Sequence, residues 1–288
     1  MEETLSVYER ICKTRRNGRA TALDYITSPE LFTDFCELHG DRTFADDHAV
    51  VGGIARLHGT PVTVIGIEKG RNLQERMYRN FGCVLPEGYR KALRLVREAE
   101  KFRRPVICFV DTQGANCGKG AEERGAGEAI ARNLYEFSTV KVPMISLMIG
   151  EGGSGGALAL AVADRVWMLE NAYYSVISPE SCASILFKDP ARAPEAADHL
   201  RLTADDLLSM GIIERKLAEP EDFSDAAEKS RFMASLGDAL SEEFRHLARL
   251  NPDKLVSERI EKYRKIGRCD AYTPASSLWQ RFHLLLSL

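Results

Sequence analysis

From Val50 onward, short apolar runs alternate with stretches of helical spacing. Residues 62–67 (VTVIGI) are apolar and largely β-branched over the length of a strand, which predicts a buried strand. Over 86–102, Tyr89, Ala92, Leu93, Val96 and Ala99 recur on one helical face with the basic residues opposite, so an amphipathic helix is expected. Pro105 opens a second strand over 106–110, which ends at Asp111 and Thr112 and runs into a glycine-rich loop, 113–120. A helix is expected to follow over 121–137. The unit then repeats as strand 142–149, loop 150–156 and helix 157–163, with further strands at 166–169 and 174–177. Strands alternating with helices predict an α/β fold with largely parallel pairing.

The tail differs in kind. Residues 224–266 are charged and helical; Phe232, Leu236, Leu240, Phe244 and Leu247 form one apolar stripe, and Asn251-Pro252 breaks the segment into two helices. The stripe is expected to pack back on the core. No repeat or low-complexity linker divides the chain, so one main domain, 36–222, is expected between an N-terminal helical segment, 1–35, and a C-terminal helical extension, 223–288. The longest apolar runs, 142–149 and 157–163, are separated by Glu151 and glycines and fall short of the roughly 20 residues that cross a bilayer. The N-terminus lacks the apolar core of a secretory signal, and a cytoplasmic location with no membrane contact is expected.

Composition narrows the class. Hydrophobic residues make up 44% and charged residues 28% of the 288, which excludes disordered and collagen-like chains. A net charge of −3 does not favour nucleic acid as a partner. Between Arg71 and Arg104, however, ten basic residues stand against four acidic ones, an excess that suits either an anionic ligand or a solvated helix face. The seven cysteines are scattered without a Cys-x-x-Cys pair, so neither a disulfide framework nor a metal site is expected.

The segment Gly150-Glu151-Gly152-Gly153-Ser154-Gly155-Gly156-Ala157 fits three chemistries. As G-x-G-x-x-G it uses Gly150, Gly152 and Gly155, with Glu170 twenty residues past Gly150, in the layout of a dinucleotide fingerprint. As G-x-S-x-G it makes Ser154 a nucleophile, with His199, His246 or His283 as base and Asp198 or Asp205 to orient it. In the third reading, glycines before a helix leave its first N–H groups open to an anion or a developing oxyanion at the positive end of the dipole. A P-loop is excluded because Lys-Ser/Thr does not follow. The structural alternative is a tight turn that needs glycine for close packing. The loop after Asp111 repeats the device at the neighbouring strand end, and two such loops make one crevice. Glu122, Glu123, Arg124 and Glu128 on the following helix are candidates to orient a ligand or simple surface charges.

Long literal stretches then become familiar: 37–42 (ELHGDR), 51–56 (VGGIAR), 79–82 (RNFG), 86–94 (PEGYRKALR), 120–125 (GAEERG), 128–134 (EAIARNL), 150–158 (GEGGSGGAL) and 174–180 (YSVISPE). Together these resemble the alpha subunit of bacterial acetyl-CoA carboxylase carboxyltransferase, over residues 20–217. The resemblance implies a crotonase-like (ClpP/crotonase) fold of ββα units. It implies transfer of a carboxyl group from carboxybiotin, borne on a biotin carboxyl carrier protein, to acetyl-CoA, forming malonyl-CoA for fatty acid biosynthesis. The implied partners are a beta subunit that carries zinc, in an α2β2 assembly without which the chain is inactive, and biotin carboxylase in the full complex.

On that resemblance, the backbone N–H groups of Gly155, Gly156 and Ala157 are the candidates to stabilise the biotin ureido oxygen, and Gly114, Ala115, Gly152, Gly153, Glu180, Arg90 and Arg94 to bind substrate. The resemblance implies that the biotin enolate left by loss of the carboxyl group removes the methyl proton of acetyl-CoA, so no protein general base is needed; hydratase relatives carry a carboxylate where this chain has Leu158, although Glu180 resembles their other acid. The chain departs from the family pattern at Gln113, Asn116 and Cys117, where a proline-stiffened loop becomes polar, and in its short N-terminus. The alternatives are a crotonase-fold acyl-CoA hydratase, isomerase or decarboxylase that does not use biotin, and a non-catalytic scaffold.

Overall fold

The computed structural model describes residues 5–267. Two short helices, α1 (Val7–Thr14) and α2 (Ala22–Ile26), lead into β1 (Thr33–Glu37), β2 (Val50–Leu57) and β3 (Thr60–Ile67). There follow α3 (Leu73–Tyr78), α4 (Pro86–Lys101), β4 (Val106–Thr112), α5 (Lys119–Glu123), α6 (Ala126–Thr139), β5 (Met144–Gly153) and α7 (Ser154–Ala161). The rest is β6 (Arg165–Leu169), β7 (Tyr173–Ser175), α8 (Pro179–Leu186), α9 (Ala193–Leu200), α10 (Ala204–Ser209), β8 (Arg215–Leu217), α11 (Ala226–Leu247) and α12 (Pro252–Lys265).

The strands form one sheet in the order β1-β2-β3-β4-β5-β6-β8, with β7 beside the far end of β5. Pairing is antiparallel from β1 to β3 and parallel from β3 onward. His58 and Gly59, at φ 46° and 80°, close the β2–β3 hairpin in the left-handed turn such connections favour. The segments β2–β3–α4 and β6–β7–α8 are ββα units.

Strands β4 and β5 lie in the middle of the sheet; β4 is buried along its whole length and β5 at every position but Glu151. Phe109 of β4 stacks on Tyr25 of α2 at 5.1 Å, and Tyr25 meets Phe232 of α11 edge-on at 6.3 Å. Leu236, Leu240, Phe244 and Leu247 are buried in the same core, so the C-terminal stripe closes the molecule on itself. Helix α12 is fastened by Arg259, whose guanidinium is buried and donates to both oxygens of Asp164, each at 2.8 Å, and to the carbonyls of Phe137, Val140 and Val142. Asp164 in turn accepts the N–H of Met144, the first residue of β5.

Three details differ from the sequence pattern. The helix expected over 121–137 is broken into α5 and α6 at Gly125, whose φ of 80° cannot continue a helix. Strand β5 runs on through Gly153 because Glu151, Gly152 and Gly153 pair with β7, and α7 begins at Ser154 rather than at 157. Lys91, grouped by periodicity with the exposed basic face of α4, is fully buried; its ammonium donates to the carbonyl of Val50 at 2.7 Å and pairs with Asp46 at 2.8 Å.

Candidate active site

The two glycine loops meet at the ends of β4 and β5. Beyond β4 the chain turns at Thr112, whose hydroxyl accepts from the Gly114 N–H at 3.0 Å and donates to the Gly114 carbonyl at 2.9 Å. Asn116 N–H donates to the carbonyl of Val84 at 3.0 Å, which seats the loop against the start of α4. At the base, the buried Asp111 carboxylate accepts from the Glu151 N–H at 2.9 Å and pairs with Lys69 at 2.7 Å. A Cβ at Gly150 would fall 2.3 Å from that carboxylate.

The glycines divide into two kinds. A Cβ at Gly153 would stand 2.2 Å from the Gln113 carbonyl oxygen, and one at Gly156 would stand 2.5 Å from the Ala115 nitrogen; at Gly152 it would meet Tyr173 O at 2.8 Å. These positions are glycine because backbone lies against backbone there. Gly155 meets only Ile130, at 3.8 Å, and Gly114, at φ 150°, meets nothing within 4 Å. At these two positions bare backbone faces open space.

Helix α7 has Gly153 as its N-cap and no side chain capping its first turn. The N–H groups of Ser154, Gly155 and Gly156 therefore have no intrahelical acceptor, and they sit at the positive end of the helix. Ala157 follows at the fourth position of the helix and is buried. Ser154 enters the helix at φ 51°, an unfavourable conformation for a residue with a Cβ. The geometry suits an oxygen that acquires negative charge, held by N–H groups without a charged side chain.

One wall of the crevice was not foreseen from the sequence. Arg15, from the end of α1, donates to Glu151 at 2.9 Å and to Glu180 at 2.6 Å, and Tyr8 donates to Glu180 at 3.2 Å. Burial alone would push the Glu180 carboxyl up, but the Arg15 hydrogen bond and charge, together with Tyr8, hold it below the usual carboxylate range. Burial and the neighbouring Glu151 raise the Tyr173 hydroxyl, which stays protonated and donates to Glu151 at 2.8 Å. Arg15, Lys69, Arg76, Phe81, Gln113 and Glu151 line a cavity of about 170 Å³ at this point. The only sequence signal for Arg15 was a basic run, Lys13 to Arg19, in which nothing marked one residue from the next.

Arg90 and Arg94 are placed elsewhere. Arg90 donates to Asp41 at 2.7 Å and to the Arg124 carbonyl at 3.1 Å, and Arg94 donates to the Gly40 carbonyl at 3.0 Å and to Glu98 at 2.8 Å. Both brace the loop before β2 and line a separate cavity of about 480 Å³ that shares no residue with the one at Gln113. Arg124 pairs with the buried Glu87 at 2.9 Å, while Glu122, Glu123 and Glu128 are exposed. Glu170 accepts the Glu219 N–H at 3.0 Å, and Gly150 and Gly152 lie within β5 rather than in a loop, which removes the dinucleotide layout. Among the described residues no histidine hydrogen-bonds Ser154; His283 lies outside them. Among them, too, no group of three His, Cys, Asp or Glu side chains is placed to hold a metal, and no helix is long and apolar enough to cross a membrane.

A sheet of ββα units with two glycine loops meeting at its central strand ends, one of them opening a helix, defines a crotonase-like fold of the carboxyltransferase type. Transcarboxylase 12S, solved with methylmalonyl-coenzyme A bound, shares this fold at a TM-score of 0.59 and 18% identity, over 92% of this chain and 45% of that one. Residues 1–267 match the family described as acetyl co-enzyme A carboxylase carboxyltransferase-like, and the chain belongs to it. It is 54% identical over 263 residues to the carboxyl transferase subunit alpha of Ruminiclostridium cellulolyticum, covering 91% of this chain and 98% of that subunit. It is 56% identical over 265 residues to a beta/alpha carboxyl transferase protein of Natranaerobius thermophilus, of whose length it spans 43%.

Proposed function

We propose that this chain is the alpha subunit of an acetyl-CoA carboxylase carboxyltransferase, completed by a beta subunit, that moves a carboxyl group from carboxybiotin on a biotin carboxyl carrier protein to acetyl-CoA. The observation that carries the reading is the uncapped start of α7 beside bare backbone at Gly114 and Gly155. A flat ring can reach the open N–H groups there without meeting a side chain, so these residues fit the ureido group of biotin. Carboxybiotin supplies the transferable carboxyl group and a ureido oxygen that becomes negative as that group leaves. The N–H groups of Gly155, Gly156 and Ala157 hold that oxygen, and Gly114 and Ala115 form the facing wall. Gly152 and Gly153 set the spacing between the walls.

The side chains nearby bind and orient rather than exchange protons. Glu180 is kept ionised by Arg15 and offers no proton, and Leu158 presents no carboxylate on α7. Zinc belongs to the beta chain, the pair assembles as α2β2, and biotin carboxylase completes the complex in the cytoplasm.

The reverse reaction tests this: malonyl-CoA with free biocytin, giving acetyl-CoA, using the chain alone and co-expressed with a beta subunit from the same genome. Turnover only in the pair is expected. Turnover of an acyl-CoA by the chain alone would replace the proposal with a biotin-independent enzyme. An assembled but inactive pair would replace it with a scaffold.

A further inference from the structure

Two thiols stand on the segments that the Asn116–Val84 hydrogen bond joins, Cys83 between α3 and α4 and Cys117 on the loop after β4. Cys83 follows the left-handed turn at Asn80 and Phe81, at φ 50° and 54°, and its N–H donates to the Asn80 carbonyl at 2.8 Å. It is half-buried. Cys117 is the middle residue of a turn in which the Asn116 side chain accepts the Gly118 N–H at 2.9 Å, and it is exposed. The residues next to each cysteine are therefore hydrogen-bonded to one another.

The side chains form one cluster with the crevice. Gln113 Nε2, on the loop that carries Cys117, donates to Cys83 Sγ at 3.3 Å. Burial pushes the Cys83 thiol up against that hydrogen bond, and the nearness of Cys117 and Glu151 adds to the rise. Cys83 is therefore held as a thiol while Cys117 meets solvent. Cys108 and Cys182, by contrast, are buried, and burial pushes the Cys108 thiol up to about 12, so both are shielded from oxidants in solution. Cys117 is also one of the positions at which this chain departs from the family pattern, where proline is usual. Proline carries no thiol, so the pair is a property of this chain rather than of its fold.

We infer that Cys83 and Cys117 are an oxidative modification site, joined as a disulfide by a hydroperoxide, and that the bond ties the loop after β4 to the start of α4. The exposed Cys117 sulfur attacks the peroxide: its S–O bond forms as the O–O bond breaks, and one water leaves with the thiol proton. The Cys83 sulfur then attacks the Cys117 sulfur, the S–S bond forms as the S–O bond breaks, and a second water carries off the Cys83 proton. Two thiols and one hydrogen peroxide give one disulfide and two waters, the sulfurs losing the two electrons that reduce the peroxide. The bond closes on segments already in contact, and its exposure leaves it open to reduction by thiols. Turning Cys83 toward Cys117 withdraws its sulfur from Gln113, which lines the crevice with Arg15, Phe81 and Glu151. The same loop carries Gly114 and Ala115, the wall facing α7, so oxidation shifts that wall; this consequence for turnover rests on the function proposed above, and the bond itself does not.

The test uses the assembled alpha–beta pair, first reduced and then exposed to hydrogen peroxide, with peptide mapping after alkylation. A peptide pair joined through Cys83 and Cys117 is expected, with the loss of both alkylated thiols and their return on treatment with dithiothreitol. Turnover of malonyl-CoA and biocytin is expected to fall about tenfold in the oxidised pair, within the loss on the order of 10² that a full 1 Å displacement brings, and to recover on reduction. Cys117→Ser is expected to match the reduced wild type in turnover and to lose both the cross-link and the response to peroxide. Cys83→Ser is expected to leave Cys117 oxidised but unjoined. Oxidation of Cys117 alone in the wild type, or its joining to any other cysteine, would overturn the inference. A Cys83–Cys117 bond that leaves turnover unchanged would keep the site and overturn its effect on the crevice. Peptide mapping does not depend on turnover, so an inactive reduced pair would count against the proposed function and leave the test of the bond standing.

Discussion

Replacing Gly155 and Gly156 separately by alanine distinguishes an open anion site from a packing joint on adjacent residues. At Gly156 the new methyl would stand 2.5 Å from the Ala115 nitrogen and 2.7 Å from the Gly114 carbonyl carbon. Both are backbone atoms that no rotamer change can move aside, so α7 must shift away from the loop at a cost of roughly 1–3 kcal/mol. At Gly155 the nearest neighbour is a flexible Ile130 methyl at 3.8 Å, an ordinary contact. Alanine also favours the helix there by up to about 1 kcal/mol. Gly155→Ala is therefore expected to be at least as stable as wild type in urea denaturation, and Gly156→Ala to be measurably weaker. The methyl on residue 155 covers the face from which a ligand reaches the open N–H groups, and displacing a reacting group by about 1 Å costs on the order of 10² in rate. Steady-state turnover of malonyl-CoA and biocytin by the assembled alpha–beta complex is expected to fall by that factor in Gly155→Ala, with assembly intact. If Gly155→Ala instead keeps wild-type turnover, the helix start is a packing joint only and the oxyanion assignment is wrong.

Three further substitutions probe the scaffold beneath the site. Ser154→Gly relieves a φ of 51° that costs a side chain about 1–2 kcal/mol, so it is expected to leave stability unchanged or slightly raised despite glycine's own penalty; a marked loss in urea denaturation would show that the serine makes a contact that matters. Lys91→Met removes the ammonium from the buried Val50 carbonyl and from Asp46, which keeps only the Gly40 N–H and His39, and is expected to lower stability by about 1–3 kcal/mol, whereas an unchanged stability would mean the pair contributes little. Burial opposes ionisation of Asp46, but Lys91, the Gly40 N–H and His39 bring its carboxyl down to about 2. That depressed value contributes stability above the ordinary pKa of about 4, which is lost as pH falls toward 2, so the pH dependence of unfolding between those limits should flatten in Lys91→Met. Arg259→Ala strands Asp164 and three carbonyls and is expected to cost about 3–5 kcal/mol; an unchanged melting temperature would mean that α12 is not fastened by this residue.

What the sequence made legible was local. The strands at 62–67 and 106–110, the helix after Pro86 and the break at Asn251-Pro252 all follow from periodicity and punctuation within a few residues, and the structure has them within a residue or two at most ends. The errors came where a distant partner decided the outcome. The extension of β5 through Gly153 depends on β7, twenty-two residues later, and the burial of Lys91 depends on the strand at Val50, forty-one residues earlier. Periodicity along α4 sorts residues by face, but it cannot tell a lysine that meets water from one that meets a carbonyl at the edge of that face.

The same distinction governs the site. The glycine run at the end of β5 stood out because its composition is unusual over eight consecutive residues, yet which glycine is open and which is packed is set by Asp111, residues 113–115 and Tyr173, all distant in sequence. Arg15 is separated from Glu151 by 136 residues and from Glu180 by 165, and the run it belongs to also holds Lys13, Arg16 and Arg19. A charge excess over 71–104 suited either an anionic ligand or a solvated helix face, and α4 was the natural place to look because its cations are periodic. The structure engages Arg90 and Arg94 with Asp41, Glu98 and backbone carbonyls, while Arg79 and Arg104 donate to the His48 carbonyl and the Thr63 hydroxyl. Local charge density therefore marked a basic stretch without saying what it meets, because the partner of each cation is set by residues distant in sequence, as Asp41 is for Arg90 and Thr63 for Arg104.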